Sequence, residues 1–235
     1  MRTPTMSGVI ERRLLINYRT DPDAVARLLP AGMRPQLING HAVAGICLIR
    51  LGRLRPQPLP AAVGMRTENA AHRVAVEWDT PDGVASGVYI PRRDTDSWAT
   101  TLAGGRLFPG EHHRARFDVD EDDRELRVAF RSTDGTGAVR SHVRITGGWP
   151  GSKLFDDLGQ ASDFFRRGCA GYSPTSAGRA LDGMRLHSET WAVEAVELTE
   201  VHSTFFDRIP AEPDSAFLMR DLPVTWHSLS PMRMD

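Results

Sequence analysis

The sequence predicts an α+β fold that is rich in antiparallel β-strands, closed or sandwich-like, with few helices. Apolar and polar residues alternate with the period of a half-buried strand, as in residues 72–78, HRVAVEW. Two pairs of turn residues, Asn39-Gly40 and Asp82-Gly83, separate neighbouring runs in the way that β-hairpin turns do. Many short strands joined by turns therefore account for most of the chain.

The first half of the chain is predicted to contain one helix and five strands. The helix, residues 23–29, follows Asp21 and Pro22, a cap and a proline suited to the first turn, and it ends at Pro30. Residues 53–60 are predicted to form a surface loop, because they contain three prolines, which a central strand does not tolerate. The strands are predicted at residues 9–18, 35–38, 41–51, 72–78 and 84–90.

The second half is predicted to contain two helices and five strands. A short helix at residues 94–103 begins with aspartates and ends at a pair of glycines. A longer helix at residues 152–167 carries apolar side chains at helical spacing and ends before Gly168. The last strand contains Pro223, which is expected to break it. The strands are predicted at residues 111–119, 124–131 and 138–145, which form a meander, and at 188–201 and 215–226.

Charge and hydropathy exclude several classes of partner. The formal net charge is −1 and the charged residues are interspersed, so no surface for nucleic acid or an anionic membrane is expected. No segment reaches the ~18 apolar residues of a membrane span, and the N-terminus lacks the apolar core of a signal peptide. We therefore expect a cytoplasmic protein with one domain over residues 1–235 and a small-molecule ligand, and a homo-oligomer is compatible with the sequence.

Cysteine and lysine are scarce in the chain. Cys47 and Cys169 lie far apart in apolar or glycine-rich surroundings and are expected to be free thiols. Lys153 is the only lysine, and its place in the first turn of a predicted helix favours exposure, whereas a reactive amine needs apolar or cationic surroundings. No nucleophile elbow, phosphate-binding loop, HExxH or CxxC motif is present. The sequence therefore indicates no cofactor.

The stretch 103–117, AGGRLFPGEHHRARF, is the first candidate for a functional site. It lies between a predicted helix and a predicted strand, where folds often place chemistry. Neighbouring side chains of a strand point to opposite faces, so only one of His112 and His113 can face a given pocket, and either assignment is open. A metal site would need more ligands, such as Glu68 or His72, and none is assigned.

Two charged residues elsewhere have two interpretations each. Glu68 follows the proline-rich loop and is either a solvated carboxylate or an acid or base in a pocket. Arg19 lies at the end of a predicted strand and is either exposed or able to bind a carboxylate. The residue types alone do not decide between these roles.

Three blocks of the sequence resemble acetoacetate decarboxylase and its relatives. Residues 17–33 resemble the family's N-terminal signature, in which a strand that ends in Tyr-Arg-Thr-Asp leads into a short helix. Residues 66–69, RTEN, resemble the family's Tyr-Thr-Glu-Ser, and residues 105–109, GRLFP, resemble the stretch before its catalytic lysine pair. The later segments 151–165 and 215–227 are more similar to the uncharacterised YqjF-like branch of the same superfamily.

The resemblance implies a cone-like antiparallel β-barrel of the acetoacetate decarboxylase type, with a central cavity and a few peripheral helices. It also implies a pocket that is lined by Glu68, Arg106 and the residues after Pro109. Where the family has Pro-Lys-Lys, residues 109–113 read PGEHH, so the Schiff-base lysine is missing. Decarboxylation through an imine is therefore not implied.

These observations predict a small-molecule enzyme or ligand-binding protein that acts without an imine on a keto acid, an acyl compound or a similar metabolite. Glu68 is the predicted acid or base, with His112 or His113 as its partner. The predicted ligand-binding residues are Arg106, as an anion clamp, Arg19, His72 and Glu111. A non-catalytic binding or sensor protein with the same cavity and a metal-dependent barrel enzyme are the alternatives, and whether the protein is an enzyme at all stays open.

Overall fold

Strands make up most of the chain in the computed structural model, which describes residues 4–103, 108–175 and 180–233. The predicted β-rich α+β class is therefore confirmed. The strands are β1 (Met6–Thr20), β2 (Arg34–Pro35), β3 (Leu37–Ile38), β4 (His41–Pro56), β5 (Met65–Thr80), β6 (Gly83–Thr95), β7 (His112–Glu121), β8 (Glu125–Ser132), β9 (Ala138–Arg144), β10 (Ala170–Pro174), β11 (Ala180–His187), β12 (Glu194–Ser203) and β13 (Ala211–Arg233).

The helices of the described residues are short, and side-chain caps begin two of them. They are α1 (Pro22–Ala26), α2 (Trp98–Ala103) and α3 (Leu158–Arg167), with 3-10 turns at Ala61–Val63 and Phe206–Arg208. Asp21 accepts a hydrogen bond from the amide of Ala24 at the start of α1, and Asp157 accepts one from Gln160 at the start of α3. No helix in the described ranges combines the length and apolar character needed to cross a membrane.

Five strands, in the order β13-β1-β4-β5-β6, form a continuous antiparallel sheet. Successive side chains point to opposite faces of this sheet. On β5, for example, His72 and Val74 face one side, whereas Ala71 and Arg73 face the other. Each of the five strands therefore contributes side chains to two separate interiors of the protein.

The two outer strands of this sheet, β6 and β13, each pair with two further strands on the side away from the sheet. β6 pairs in parallel with β10 at Val88 and with β7 at Arg93. β13 pairs with β12 at Phe217 and with β11 at Trp226. Strands β7, β8, β9 and β12 thus close the five shared strands into a nine-stranded ring, whereas β10 and β11 close them into a seven-stranded ring.

The two rings have separate hydrophobic clusters. All strands of the nine-stranded ring contribute to the first cluster, which includes Val128 and Phe130. The second cluster belongs to the seven-stranded ring, where Phe165 of α3 packs against Phe217 with 5.6 Å between ring centroids. The helix α3 therefore packs into the seven-stranded ring, and not into the nine-stranded one.

The prediction of a helix over residues 152–167 is wrong for the first six residues, because α3 begins at Leu158. The hydroxyl of Ser152 accepts hydrogen bonds from the amides of Leu154 and Phe155, both at 3.0 Å, and this turn replaces the first helical turns. Phe155 remains buried with the helix, so the apolar spacing reflects packing and not helicity there.

Several strand boundaries also differ from the prediction. β13 continues through Pro223, which pairs opposite Val9, so this proline does not break the strand. Asp94 and Thr95 belong to β6, and α2 is shorter than the predicted helix 94–103. β4 extends to Pro56, beyond the predicted start of a loop, and β12 begins later than residue 188. Strands β10 and β11 were not predicted.

Candidate functional site

A cavity of about 140 Å³ lies inside the seven-stranded ring. Every strand of that ring contributes to its lining, together with the start of β7, and Thr100 of α2 and Phe108 add two side chains. Space remains here because small residues face inward: Ala71 on β5 and Gly171 on β10 take positions where larger side chains would fill the interior. The cavity is the strongest candidate for a ligand site.

Three arginines line this cavity: Arg13 of β1, Arg73 of β5 and Arg93 of β6. None of them forms a salt bridge with a carboxylate among the described residues. Arg13 donates from Nε to Cys47 Sγ at 3.3 Å, and Arg93 donates from Nε to Ser173 Oγ at 3.3 Å. The cavity therefore carries concentrated positive charge with only neutral protein partners in the described ranges.

Arg73 is held rigidly at the inner side of the cavity. Its Nη2 donates to Asn17 Oδ1 at 2.6 Å, its guanidinium lies 4.9 Å from the ring centroid of Phe165, and its buried Nε has no hydrogen-bond partner in the described structure. Burial lowers the pKa of Arg73 to about 10, and burial likewise lowers the pKa of Arg93 to about 10. Both side chains stay cationic at neutral pH.

Asp94 also lies along the cavity wall, but its side chain points away from that of its neighbour Arg93 and is held by Arg92. The two carboxylate oxygens of Asp94 accept hydrogen bonds from Arg92 Nε at 2.8 Å and Nη2 at 2.7 Å. Burial raises the pKa of Asp94, and the bond from Arg92 opposes this shift. Asp94 therefore leaves the charge of the three cavity arginines without a direct partner.

His112 is the candidate acid–base residue of the cavity. It begins β7 opposite Arg93, and its Nδ1 donates to the carbonyl oxygen of Gly110 at 3.2 Å. Gly110 has a φ of 92°, and a Cβ there would lie 2.8 Å from Ser173 Cβ, so a glycine is needed for this approach. Burial, with a further contribution from Arg93, lowers the pKa of His112 to about 3.

The hydrogen bond to Gly110 fixes the tautomer of His112. A carbonyl oxygen only accepts hydrogen bonds, so Nδ1 carries the proton of the neutral ring and Nε2 carries a lone pair. No described residue donates a hydrogen bond to Nε2. The arrangement can therefore accept a proton at Nε2 or accept a hydrogen bond from a ligand.

Apolar side chains line the rest of the cavity. Ile10, Leu51 and Leu54 come from β1 and β4, and Leu186 and Trp226 come from β11 and β13. Phe108 packs edge-on against Trp226, with 5.4 Å between ring centroids. The cavity is thus polar along one part of its wall and hydrocarbon along another.

The structure does not bring Glu68 to the cavity. Its carboxylate is bound by Arg12 Nη2 and Arg50 Nε, each at 2.6 Å, and Glu121 joins the same cluster. Glu68 precedes the cavity-lining Asn69 on β5, so strand alternation directs its side chain to the opposite face. Its predicted role as an acid or base has no contact with His112 to support it in the described structure.

The histidines divide in the same way. His113 points away from His112, and its Nδ1 lies 2.7 Å from Asp134 Oδ2. His72 is buried in the nine-stranded ring, with Nε2 at 2.9 Å from Ser203 Oγ and its ring stacked on Phe205. Burial, followed by the charge of Arg92, lowers the pKa of His72 to about 3. Only His112 of the three lines the cavity.

The remaining predicted site residues also lie elsewhere. Arg19 forms ion pairs with Glu212, at 2.5 Å, and with Asp214, at 3.3 Å. Glu111 is exposed and is not part of the cavity lining, and Arg106 lies outside the described residues. The described residues contain no group of three or more histidine, cysteine, aspartate or glutamate side chains that is able to hold a metal ion.

Sequence reasoning missed the three cavity arginines. A signal for Arg73 is present in the sequence, because Ala71 and Ala75 flank it at the same-face positions of a predicted strand. Small neighbours leave room for a long side chain on an otherwise buried face. Arg13 and Arg93 lack such a signal, and only the closed ring shows that they face one interior.

The fold is similar to those of acetoacetate decarboxylase and related proteins. Acetoacetate decarboxylase from Legionella pneumophila matches with a TM-score of 0.64 and 13% identity over 99% of this chain and 88% of that chain. An acetoacetate decarboxylase-like enzyme from Sphingomonas wittichii matches with 0.67 and 14% over 100% and 94%. The enduracididine biosynthesis enzyme MppR, complexed with pyruvate, matches with 0.61 and 13% over 100% and 92%. These likenesses confirm the predicted type of fold.

Curated protein sequences give no match to the chain. A family model does match, over residues 9–222, and it describes DUF2071, an uncharacterised conserved protein. The predicted placement in an uncharacterised branch with an acetoacetate decarboxylase-like fold is thereby confirmed. Because the match covers most of the 235 residues, the chain belongs to the DUF2071 family.

Proposed function

We propose that the cavity binds a small organic acid as its anion and that the protein acts on this ligand without forming an imine. One observation carries the proposal: Arg13, Arg73 and Arg93 line a single cavity and have no carboxylate partner among the described residues. Pyruvate, a small carboxylate, is the ligand in a structure of MppR, which shares the fold. A carboxylate is therefore the anion that we assign.

The free energy of burying charge supports an anionic ligand. A buried cation without a counter-charge is costly, and removing one member of a buried ion pair typically costs about 3–5 kcal/mol. A bound carboxylate supplies the missing counter-charge. Arg93 offers Nη1 and Nη2, which have no hydrogen-bond partner among the described residues, and a guanidinium matches a carboxylate with two parallel hydrogen bonds.

His112 gives the site a means of moving a proton. If the bound acid carries a ketone, Nε2 of His112 takes the proton from the carbon beside the carbonyl, and the electron pair moves onto the carbonyl oxygen. A cationic arginine stabilises the enolate that forms. The bound carboxylate also offsets the charge of Arg93, which contributes to the low pKa of His112, so binding moves this pKa back toward its usual range.

An imine has no amine to form on in this cavity. Lys153 is the only lysine of the chain, and it is exposed and lies outside the cavity lining. A Schiff-base lysine instead needs a desolvated or cationic setting. We therefore expect that borohydride with a β-keto acid leaves the protein without a covalent adduct, which intact-protein mass spectrometry would detect.

Calorimetric titration with small carboxylates tests the binding proposal. The variant Arg93→Met should weaken binding by about 10- to 150-fold, since a charged hydrogen bond contributes about 1.5–3 kcal/mol. Arg140→Gln is the matched control, because Arg140 is exposed on β9 and outside the cavity lining. Equal affinities for wild type, Arg93→Met and Arg140→Gln would contradict the proposal.

A non-catalytic binding or sensor protein is the second candidate. It is favoured by the solitary position of His112, because the remaining carboxylate of the lining, Asp94, is held by Arg92. Proton NMR in deuterium oxide separates the two functions. A catalyst exchanges the protons beside the carbonyl of a bound keto acid faster than the His112→Gln variant does, whereas a binding protein leaves the rate unchanged.

A further inference from the structure

We propose that the natural ligand is an amphipathic acid, with a carboxylate at one end and an unbranched or aromatic hydrocarbon part of about six carbons at the other. This inference rests on the proposed function and names the ligand class of the same cavity. Its basis is the order in which polar and apolar side chains follow one another along the shared strands. A short acid without a hydrocarbon part would contact only the polar side chains of the cavity lining.

The strand register places the charged part of the lining at one end. Arg93 pairs opposite Ala71, and Ala71 pairs opposite Cys47, so these three residues lie at one level of the ring. His112 pairs opposite Arg93 and joins this level from β7. Arg73 lies two residues further along β5, toward α3 and its Phe165. Arg73, Arg93 and His112 therefore lie on the side of the cavity nearer to α3, where Val88 and Ile90 are their apolar neighbours in the lining.

The apolar part follows in the opposite direction along the same strands. Arg13 and Asn69 both pair opposite Ile49, two residues beyond Cys47, so the lining is still polar there, and it becomes apolar two residues further, where Ile10 pairs opposite Leu51. Four residues of strand separate the level of Cys47 from that of Leu51, which corresponds to about 13 Å. An acid whose carboxylate lies between Arg93 and Arg13 therefore directs its hydrocarbon part toward Ile10 and Leu51.

The size of the cavity sets a similar length. Its volume is about 140 Å³. An engineered apolar cavity of about 150 Å³ accommodates benzene, which has six carbons. The head group extends this by the carboxylate, so a ligand of roughly eight non-hydrogen atoms, such as hexanoate, fits the available space.

The apolar end also selects against polar tails. Ile10, Leu51, Leu54 and Leu186 present only hydrocarbon, and a hydroxyl or second carboxylate placed among them would lose its hydrogen bonds to water without replacement. A hydrocarbon tail instead releases water from both surfaces. Each buried methylene is expected to tighten binding by about three- to four-fold.

Titration of wild-type protein with the straight-chain acids from acetate to decanoate tests this inference. Affinity should rise about three- to four-fold per methylene, reach its maximum near hexanoate and then fall, because longer chains exceed the cavity. Adipate has the same number of carbons as hexanoate with a second carboxylate, and it should bind at least ten-fold more weakly. Equal affinity for all chain lengths and for adipate would overturn the inference.

Two outcomes separate this inference from the proposed function. If acids bind with no dependence on chain length, the anion site stands and the amphipathic ligand is excluded. If hexanol binds as tightly as hexanoate, the apolar part stands and the anion site is excluded. If no acid binds, both proposals fail.

A matched pair of variants locates the tail in the structure. Leu51→Ala shortens a side chain of the cavity lining, and Leu48→Ala shortens a buried side chain of the same strand that faces the nine-stranded ring. Leu51→Ala should change the preferred chain length, whereas Leu48→Ala should leave it as in wild type. An identical chain-length profile in both variants would overturn the proposed position of the tail, and the wild-type series does not depend on how well either variant folds.

Discussion

Arg12 and Arg13 are neighbours on β1, yet they occupy opposite electrostatic settings. Arg12 is 1% exposed and contacts Glu68 at 2.6 Å and Glu121 at 3.3 Å, on the side of the nine-stranded ring. Arg13 faces the seven-stranded ring and has no carboxylate partner among the described residues. This difference is the basis of the proposal that an external anion binds beside the arginines that lack a carboxylate partner, whereas Arg12 is already neutralised within the protein.

The same division runs through the whole shared sheet. The face toward the nine-stranded ring carries closely packed apolar side chains such as Phe130 and Tyr18, and its arginines Arg12 and Arg50 are paired with carboxylates. The face toward the seven-stranded ring carries small residues and arginines around a cavity. Because side chains alternate along each strand, one set of five strands supplies a closely packed interior on one side and the interior that contains the cavity on the other.

The largest effect on stability is expected for Glu68→Gln, which removes one partner of the ion pair between Glu68 and the buried Arg12. It removes the charge that faces the buried Arg12, so the free energy of unfolding should fall by about 3 kcal/mol. Chemical denaturation measures this change. The affinity for hexanoate should remain as in wild type, because Glu68 lies on the face opposite the cavity. Loss of ligand turnover or binding in a variant of normal stability would instead support Glu68 as the acid or base.

An effect of similar size, spread over several pH units, is expected for the pH dependence of stability. Burial lowers the pKa of His72 from 6.5 to about 3. The unfolded chain therefore binds a proton below pH 6.5 that the folded protein does not bind until about pH 3. The free energy of unfolding should fall as the pH falls through this window, by about 1.4 kcal/mol per pH unit for this histidine.

The variant His72→Leu should remove this contribution. Denaturation curves between pH 6.5 and 4 should show a slope that is smaller by about 1.4 kcal/mol per pH unit than that of wild type. His187→Gln, which replaces an exposed histidine at the end of β11, is the control for loss of an imidazole. An unchanged slope in His72→Leu would show that His72 is protonated in the folded protein.

Saturating hexanoate should affect the pKa values of the two buried histidines, His112 and His72, in different ways. The bound anion should raise the pKa of His112, because it offsets Arg93, and should leave that of His72 unchanged, because His72 faces the other ring. The acid-induced loss of stability should therefore become less steep with ligand in both wild type and His72→Leu. His112→Gln should show no such change in slope.

The smallest effect on stability is expected for Arg93→Met. Replacing a buried charge that lacks a partner with an apolar side chain of similar length is expected to raise the free energy of unfolding without ligand by about 1 kcal/mol. Thermal unfolding with and without hexanoate measures this change. The variant should be the more stable protein without ligand and should gain less than wild type when ligand is added. A variant that is less stable without ligand would contradict the unpaired state of Arg93.

Local patterns in the sequence were sufficient to predict much of the fold. Asn39 and Gly40 adopt φ values of 50° and 78°, as the predicted hairpin turn between β3 and β4 requires. Residues 72–78 likewise belong to β5, although the half-buried strand that their alternation predicts is wrong, because both faces are buried from His72 to Val76. These features depend on neighbouring residues alone, so the sequence contains the necessary information.

Ring closure depends on distant pairings and could not be predicted in this way. Arg93 meets His112 through a parallel pairing of β6 with β7, and Leu186 meets Trp226 through the pairing of β11 with β13. No short-range pattern encodes either contact. His112, from the stretch that the sequence indicates, lines the cavity, whereas the three arginines of the lining emerge only from the three-dimensional arrangement.

The alternation of side chains along a strand explains why the sequence alone leaves two interpretations of Glu68. Glu68 and Asn69 are adjacent, and a shift of one residue would exchange the faces that they occupy. The pairing of Asn69 with Ile49 and of Glu68 with Arg50 decides the matter, because Ile49 lines the cavity. Such a register is a property of two strands, and one sequence segment alone does not specify it.

A crystal structure of the protein with hexanoate tests the central claim most directly. We expect one hexanoate inside the seven-stranded ring, with its carboxylate oxygens about 2.7–2.9 Å from the guanidinium nitrogens of Arg93 and its tail toward Ile10 and Leu51. An empty cavity at saturating hexanoate, or a carboxylate bound away from Arg13, Arg73 and Arg93, would contradict it.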